Sequence, residues 1–185
     1  MDDLIRRAQS GEERAISQLY DMSRARVFRL ALAMLGDPAA AEEVMQDSLH
    51  YALANVGRFD PARAAWTTWL HTITLSRCRD RARRRRWILL PLLAGLLSGG
   101  PSPAQLAEQQ ELTGALHAAL LRLSPKLREA VALRFLDDLD YAGLGQALGC
   151  PPKTAQSRVR LGLERLRALV ESDPALATLR DAWES

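Results

Sequence analysis

The sequence predicts an all-α protein: two small helical domains joined by a linker, the C-terminal one a helix-turn-helix. Apolar side chains recur at intervals of three and four residues in several segments, as the buried face of a helix requires. No convincing run alternates apolar and polar residues, the pattern of a half-buried strand. A length of 185 residues suits two small domains. Because 48% of the residues are hydrophobic but only 5% aromatic, leucine and alanine must supply most of the core.

The first well-marked helix begins at Asp37-Pro38, where an N-cap residue precedes proline at the first helical position. Its predicted buried stripe consists of Val44, Met45, Leu49, Ala52, Leu53 and Val56. The remaining surface carries Glu42, Glu43, Gln46, Asp47 and His50. The segment from Gly57 to Pro61 contains strong helix breakers, so we expect a loop there.

A further helix, with Trp66 and Trp69, runs into a dense cationic segment. Seven arginines lie between Arg77 and Arg86, and residues 61–103 carry eight basic side chains against one acidic. A solvated charge run is the ordinary interpretation of such a cluster. The neighbouring tryptophans and Phe59 favour nucleic-acid binding instead, because aromatic rings beside a cationic surface can hold unstacked bases next to a phosphate backbone.

The segment that follows, residues 87–103, reads WILLPLLAGLLSGGPSP. Its apolar run is too short to span a bilayer and is broken by Pro91 and Gly95. The end from Ser98 to Pro103 is a flexible, turn-rich linker. We therefore expect its leucines to pack on one of the domains or on a bound regulator, either folding the two domains together in the free state or joining them around an inhibitor.

The C-terminal half predicts three helices in succession. Ser124-Pro125 starts the first, whose expected apolar stripe is Leu127, Val131, Leu133 and Phe135. Asp140 caps a short helix that Gly149 ends. Lys153 opens a longer helix with a core-facing stripe of Ala155, Val159, Leu163, Leu166 and Val170. A short helix, a glycine-containing turn and a longer helix form a helix-turn-helix, whose second helix enters a major groove of DNA.

The charges support that orientation. From Lys153 to Arg167 there are five basic residues against one acid. The preceding segment, residues 129–149, has the opposite balance: its one basic residue is Arg134, and its acids are Glu129, Asp137, Asp138 and Asp140. DNA phosphates would be repelled by the acidic segment and attracted to the basic helix, so the last helix is the expected DNA face. A solvated amphipathic helix in an ordinary bundle remains the alternative.

Several classes of protein and site are disfavoured. Cys78 and Cys150 form no CxxC pair, and the three histidines show no ligand spacing with them, so neither metal nor cofactor is expected. The sequence contains no P-loop, GxSxG, HExxH or paired-acid constellation, which argues against an enzyme. The N-terminus lacks the apolar core of a signal peptide, so we expect a cytoplasmic protein with no direct membrane insertion.

Two sets of motifs, in this order and at this separation, resemble the two domains of bacterial RNA polymerase sigma factors. The first set comprises Ala41-Glu42-Glu43, Gln46-Asp47, Arg58-Phe59, Trp69-Leu70, Ile73, Asp80 and Arg83-Arg84. The second comprises Leu123-Ser124-Pro125, Arg128, Tyr141, Leu148-Gly149, Thr154, Ser157-Arg158 and Leu166-Arg167. The size resembles the extracytoplasmic-function (ECF) group of the sigma-70 family, which keeps only these two domains.

The resemblance implies a domain plan and a function. Residues 1–87 would be a region 2-like domain, 88–104 a linker, 105–172 a region 4-like helix-turn-helix and 173–185 a C-terminal tail. The protein would bind core RNA polymerase through the β′ clamp and β subunits and direct transcription initiation at promoter DNA. An anti-sigma factor, in many family members membrane-bound, would hold it inactive. The alternatives are a sigma mimic that binds an anti-sigma factor and a plain helix-turn-helix transcriptional regulator.

The resemblance also implies site residues. For core polymerase these are Glu43, Gln46 and Asp47. For the −10 element they are Phe59, Asp60, Trp69, Ser76, Arg77, Asp80, Arg83, Arg84, Arg85 and Arg86. For the −35 element they are Lys153, Thr154, Gln156, Ser157, Arg158 and Arg160. Ser76 stands where family members commonly have Asn, and Gly143 and Gly145 stand where they usually have Glu and Ala. Two glycines in a short helix cost about 1 kcal/mol each relative to alanine.

Overall fold

The computed structural model describes residues 1–88, 114–136 and 138–177, which are helical apart from short turns and contain no strand. The N-terminal helices are α1 (Asp2–Gln9), α2 (Glu13–Leu35), α3 (Pro38–Ala54) and α4 (Trp66–Ile88). The C-terminal helices are α5 (residues 114–122), α6 (Pro125–Leu136), α7 (Tyr141–Leu148) and α8 (Pro152–Ser172). Single 3-10 turns lie at Val56–Arg58 and Pro174–Leu176. The predicted all-α fold with a C-terminal helix-turn-helix is confirmed.

The start of α3 follows the predicted chemistry. The Asp37 side chain accepts hydrogen bonds from the backbone N–H groups of Ala39 and Ala40, and Pro38 occupies the first helical position. Gly36 ends α2 with φ of 66°, a left-handed conformation that glycine adopts without strain. Because Gly36, which ends α2, is directly followed by Asp37, which caps α3, the two helices are joined by a short turn and pack closely side by side. Both also pack on α4.

The helix-turn-helix is also built from local signals. The Asp140 side chain accepts a hydrogen bond from the N–H of Gly143 at 2.7 Å, and Gly149 ends α7 with φ of 64°. Helix α8 begins at Pro152 rather than at Lys153, because proline fits the first helical position. Lys153 is therefore the second residue of α8.

Two expectations for α6 were wrong. Phe135 is 63% exposed, because residues 131, 133 and 135 cannot share one face of a helix with a 3.6-residue period. Glu129 does not belong to an acidic surface, since it is 5% exposed and pairs with Arg79 of α4. The acidic character before α8 therefore comes from the loop that leads to α7.

Each half has a hydrophobic cluster of its own, and a third cluster is shared between the two halves. The buried members of the shared cluster include Leu30, Met34 and Leu75 from the N-terminal half and Leu133 and Leu144 from the C-terminal half. Helix α6 packs on α2, and α7 packs on α4. The apolar linker residues expected to mediate this packing lie outside the described residues, as does most of the predicted C-terminal tail. Within the described ranges, no helix is both long and apolar enough to cross a membrane.

Candidate nucleic-acid interface

The outer face of α3 presents Glu43, Gln46 and Asp47 to solvent. Gln46 Nε2 donates to Glu42 Oε1 at 3.0 Å, one helical turn earlier. Glu43 Oε2 lies 2.6 Å from Arg81 Nη1 of α4, so this predicted polymerase contact is engaged by the chain's own arginine. Both partners are about half exposed, so the ion pair is weak enough to exchange for another partner.

A mainly apolar groove of about 530 Å³ runs beside Gln46 between α2 and α3. Its lining residues are Ile16, Tyr20, Gln46, His50, Leu53 and Ala54. The sequence motifs pointed to α3 alone and missed Ile16 and Tyr20. No sequence motif marks these two residues. Their half-buried placement on α2 identifies them, and it becomes visible only after α2 and α3 are packed together.

The loop between α3 and α4 forms a second pocket, of about 290 Å³, with a mixed polar and apolar wall. It is lined by Arg58, Phe59, Asp60, Arg63, Ala64, Thr68, Trp69, Thr72 and Gln146. Asp60 Oδ1 accepts a hydrogen bond from the N–H of Ala62 at 2.9 Å, which holds the loop in a turn. Three of the predicted −10 residues, Phe59, Asp60 and Trp69, are thus brought together at one cavity.

The aromatic residues behind this pocket differ in their surroundings. Phe59, Trp66 and Trp69 pack with ring centroids 5.3–5.4 Å apart. Phe59 and Trp66 are each 4% exposed, and the Trp66 indole N–H donates to Ser23 Oγ at 3.2 Å. Trp69 is half-buried. The first two rings therefore fix the shape of the loop, while Trp69 offers part of its ring to the cavity.

The arginines of α4 are distributed over several partners. The Arg77 guanidinium lies 4.9 Å from the centroid of the Tyr51 ring, and Arg83 pairs with Asp80 on the same helix. Ser76 is exposed on this helix. The predicted contacts Arg84, Arg85 and Arg86 belong to α4, but the structure describes only their backbone and not their side chains. Much of the described arginine surface is therefore already paired within the protein.

The first half of α8 carries the predicted −35 residues on its outer face. Lys153, Thr154, Gln156, Ser157 and Arg160 are exposed, and Arg158 is half-buried. Ala155 and Val159 are buried on the opposite face, which anchors the helix to α6 and α7. Arg160 Nη1 pairs with Glu164 Oε1 at 2.7 Å, one turn further on. All six side chains are therefore placed on one accessible helical segment, as a groove-reading helix requires.

Comparison with known proteins gives two family matches. Residues 19–88 match the family described as Sigma-70 region 2, and residues 113–166 match Sigma-70, region 4. The first covers α3, the loop pocket and α4, and the second covers the helix-turn-helix. Together they define the chain as a protein of the sigma-70 class.

Individual relatives agree. The chain is 26% identical to the ECF RNA polymerase sigma factor SigW of Bacillus subtilis, over 88% of this chain and 92% of SigW. It is 30% identical to the ECF RNA polymerase sigma factor RpoE of Cereibacter sphaeroides, over 84% of this chain and 86% of the relative. The sigma factor RpoE of Bartonella quintana, solved with the anti-sigma factor NepR, superposes with a TM-score of 0.68. That match has 25% identity and covers 85% of this chain and 97% of RpoE.

The chain belongs to the ECF sigma factors of the sigma-70 family. The predicted function, promoter-directed transcription initiation together with core RNA polymerase, is thereby confirmed. The two matched regions fall on the surfaces where the predicted site residues lie.

Proposed function

We propose that this sigma factor captures a base of the −10 element in the pocket between α3 and α4 and reads the −35 element with α8. The observation that supports this most directly is the placement of a partly aromatic pocket and a basic helix on the two matched regions of one chain. The protein would act without catalytic chemistry of its own, in the cytoplasm, where polymerase and promoter DNA meet.

The pocket has the chemistry that an extruded base needs. A flipped base loses stacking worth a few kcal/mol, which ring contact and hydrogen bonds must offset. Trp69 provides a ring, while Thr68, Thr72 and Asp60 provide hydroxyl and carboxylate groups at the wall. Arg58 and Arg63, also at the pocket, supply positive charge for the adjoining phosphates.

The groove beside Gln46 is our candidate for the main polymerase contact. Its apolar wall from Ile16, Tyr20 and Leu53 can bury part of a partner helix. Glu43 and Asp47 at its edge would attract basic side chains of that helix and set its orientation. This combination fits a basic amphipathic helix of a polymerase subunit.

We also propose an anti-sigma factor as a partner of this chain. The supporting observation is that the Bartonella quintana relative was solved in complex with one. Such a regulator would compete with polymerase if it covered the same groove.

Reconstituted transcription with core polymerase on a library of promoters tests the proposal. We expect initiation from a subset of promoters that share −10 and −35 sequences. The double variant Gln46→Arg/Asp47→Lys should lose core binding by about tenfold or more, because it reverses charge at the contact. The exposed pair Gln18→Arg/Asp21→Lys on α2 is a matched control that should leave core affinity unchanged.

Unchanged core affinity in the Gln46/Asp47 variant, with its helical content retained, would show that polymerase binds elsewhere. A footprint on palindromic DNA without polymerase would instead support a plain helix-turn-helix regulator.

A further inference from the structure

Helix α1 contacts the loop that builds the pocket between α3 and α4, although α1 precedes the residues matched to region 2. Gln9, the last residue of α1, donates from Nε2 to the carbonyl oxygen of Val56 at 3.1 Å and to that of Phe59 at 2.9 Å. These two carbonyl groups lie at the start of the 3-10 turn and directly after its end. One side-chain amide therefore ties both ends of the turn that brings Arg58 and Phe59 to the pocket wall.

The rest of α1 is packed firmly enough to hold this amide in place. Ile5 and Ala8 are buried in the same hydrophobic cluster as the aromatic rings behind the pocket. The Arg7 guanidinium pairs with the Glu12 carboxylate, with Arg7 Nε 2.8 Å from Glu12 Oε2, and so joins the end of α1 to the start of α2. The amide thus extends from a fixed helix to the backbone of the loop.

The turn between the two bonded carbonyl groups has little else to restrain it. A Cβ at Gly57 would meet nothing within 4 Å, so the turn has open space on that side. Glycine also allows the backbone more conformations than any other residue. Each hydrogen bond from Gln9 favours the observed conformation by roughly two- to tenfold. The pair of bonds is therefore the main polar restraint that α1 places on this turn.

From these contacts we infer that Gln9 is a positioning residue for −10 recognition, because its amide fixes the loop backbone that carries Arg58, Phe59 and Asp60. The inference rests on the proposed −10 role of the pocket. Gln9 is not part of the pocket lining and acts through the loop. A site selects one base over another only while its donors and acceptors keep their positions, so a loosened loop discriminates less. Loss of the Gln9 amide should lower −10 selectivity rather than DNA binding in general.

Two substitutions at Gln9 separate its hydrogen-bond donor from its size. Gln9→Glu keeps the shape of the side chain, but its carboxylate cannot donate and would face two carbonyl oxygens. Gln9→Lys restores a group that can donate to both. Gln18→Glu, at an exposed position of α2, is the matched control with the same change of charge. Gln9 is itself exposed, so neither substitution leaves a cavity in the core, and both variants should fold normally.

Initiation by the holoenzyme on a library in which the −10 and −35 elements vary separately measures selectivity. Gln9→Glu should reduce the preference for the best −10 sequence by about tenfold, since two hydrogen bonds to the loop are lost. Its −35 preference and its affinity for core polymerase should be unchanged. Gln9→Lys should keep the −10 preference to within about threefold, because a donor is again present. Gln18→Glu should behave like the unsubstituted chain.

Amide hydrogen exchange of the free full chain reports the loop itself, without DNA. Peptides from residues 56–65 should exchange about tenfold faster in Gln9→Glu, while peptides from α8 should be unchanged. The inference is overturned if Gln9→Glu leaves loop exchange or the −10 preference unaltered, or lowers −10 and −35 preference equally. A Gln9→Lys variant as defective as Gln9→Glu would also overturn it. Failure of the proposed function would appear differently, as an unsubstituted holoenzyme with no −10 preference.

Discussion

Among the cations of α8, Arg158 has a distinct environment. It is half-buried, whereas Lys153 is exposed and Arg160 is paired with Glu164. A partly buried arginine side chain has less freedom to lose when its guanidinium donates two hydrogen bonds to a base edge. We therefore assign base reading to Arg158 and phosphate contact to Lys153.

Arg158→Ala should lower initiation from promoters with the preferred −35 sequence by about tenfold, because a bidentate base contact contributes roughly 1–3 kcal/mol of discrimination. Initiation from promoters with altered −35 sequences should fall much less. Arg167→Ala, which removes an exposed pair with Glu171, is the control. Transcription across the promoter library measures both. An equal loss at every sequence would mean that Arg158 contacts phosphate only.

At the scale of elements, the helix-turn-helix depends on a close approach that a side chain would prevent. A Cβ at Gly145 would lie 2.7 Å from the carbonyl oxygen of Cys150 and 3.1 Å from the nitrogen of Pro152. This explains a glycine inside α7 in spite of its poor helix propensity. In this chain the turn between α7 and α8 folds back so closely on α7 that a Cβ at residue 145 would overlap it.

Gly145→Ala should therefore destabilise the protein by about 1–3 kcal/mol through steric overlap, although alanine favours helix formation. Chemical denaturation followed by circular dichroism measures the change. Gly114→Ala is the matched control, since its Cβ would meet nothing within 4 Å. A gain of stability in Gly145→Ala would show that the backbone has room to relax there.

The elements that local chemistry specifies were predictable from sequence. Asp37 and Asp140 cap helices as expected, and Gly149 ends α7, because caps and breakers act over a few residues. The role of Glu129 was not predictable, because its partner Arg79 is 50 residues away and meets it only after the two halves dock. The same reason hid Gln146, which joins the pocket from the other half of the chain.

At the scale of the molecule, Arg128 connects the two halves through backbone carbonyl groups. Its guanidinium donates to the carbonyl oxygens of Leu120, Leu121 and Leu123 near the end of α5, and to that of Met34 near the end of α2. A cation is favourable at both places, because the carbonyl ends of helices carry partial negative charge. Burial lowers the pKa of Arg128 from its ordinary value.

Arg128→Ala should cost about 3 kcal/mol or more, because four carbonyl groups lose a charged donor. We expect the single unfolding transition of the shared core to broaden or divide, as each half then unfolds more independently. Lys126→Ala, at an exposed site on the same helix, should leave the transition unchanged. Calorimetry of the full chain distinguishes the two results. A sharp transition at the original temperature would contradict this role of Arg128.

The ion pairs of α4 have a consequence for how binding responds to ionic strength. Arg79, Arg81 and Arg83 are already matched with Glu129, Glu43 and Asp80. When Arg81 or Arg83 leaves its exposed carboxylate for a phosphate, a counterion is released from the nucleic acid, but the freed carboxylate takes up a cation from solution in return. The DNA affinity of such a surface should therefore fall less steeply with salt concentration than the slope of about 0.9 per phosphate contact in a plot of log affinity against log salt concentration. Arginines that are already in ion pairs therefore bind non-specific DNA more weakly than free arginines would. The same arginines can still contact phosphates at a promoter, where other contacts hold the DNA in place.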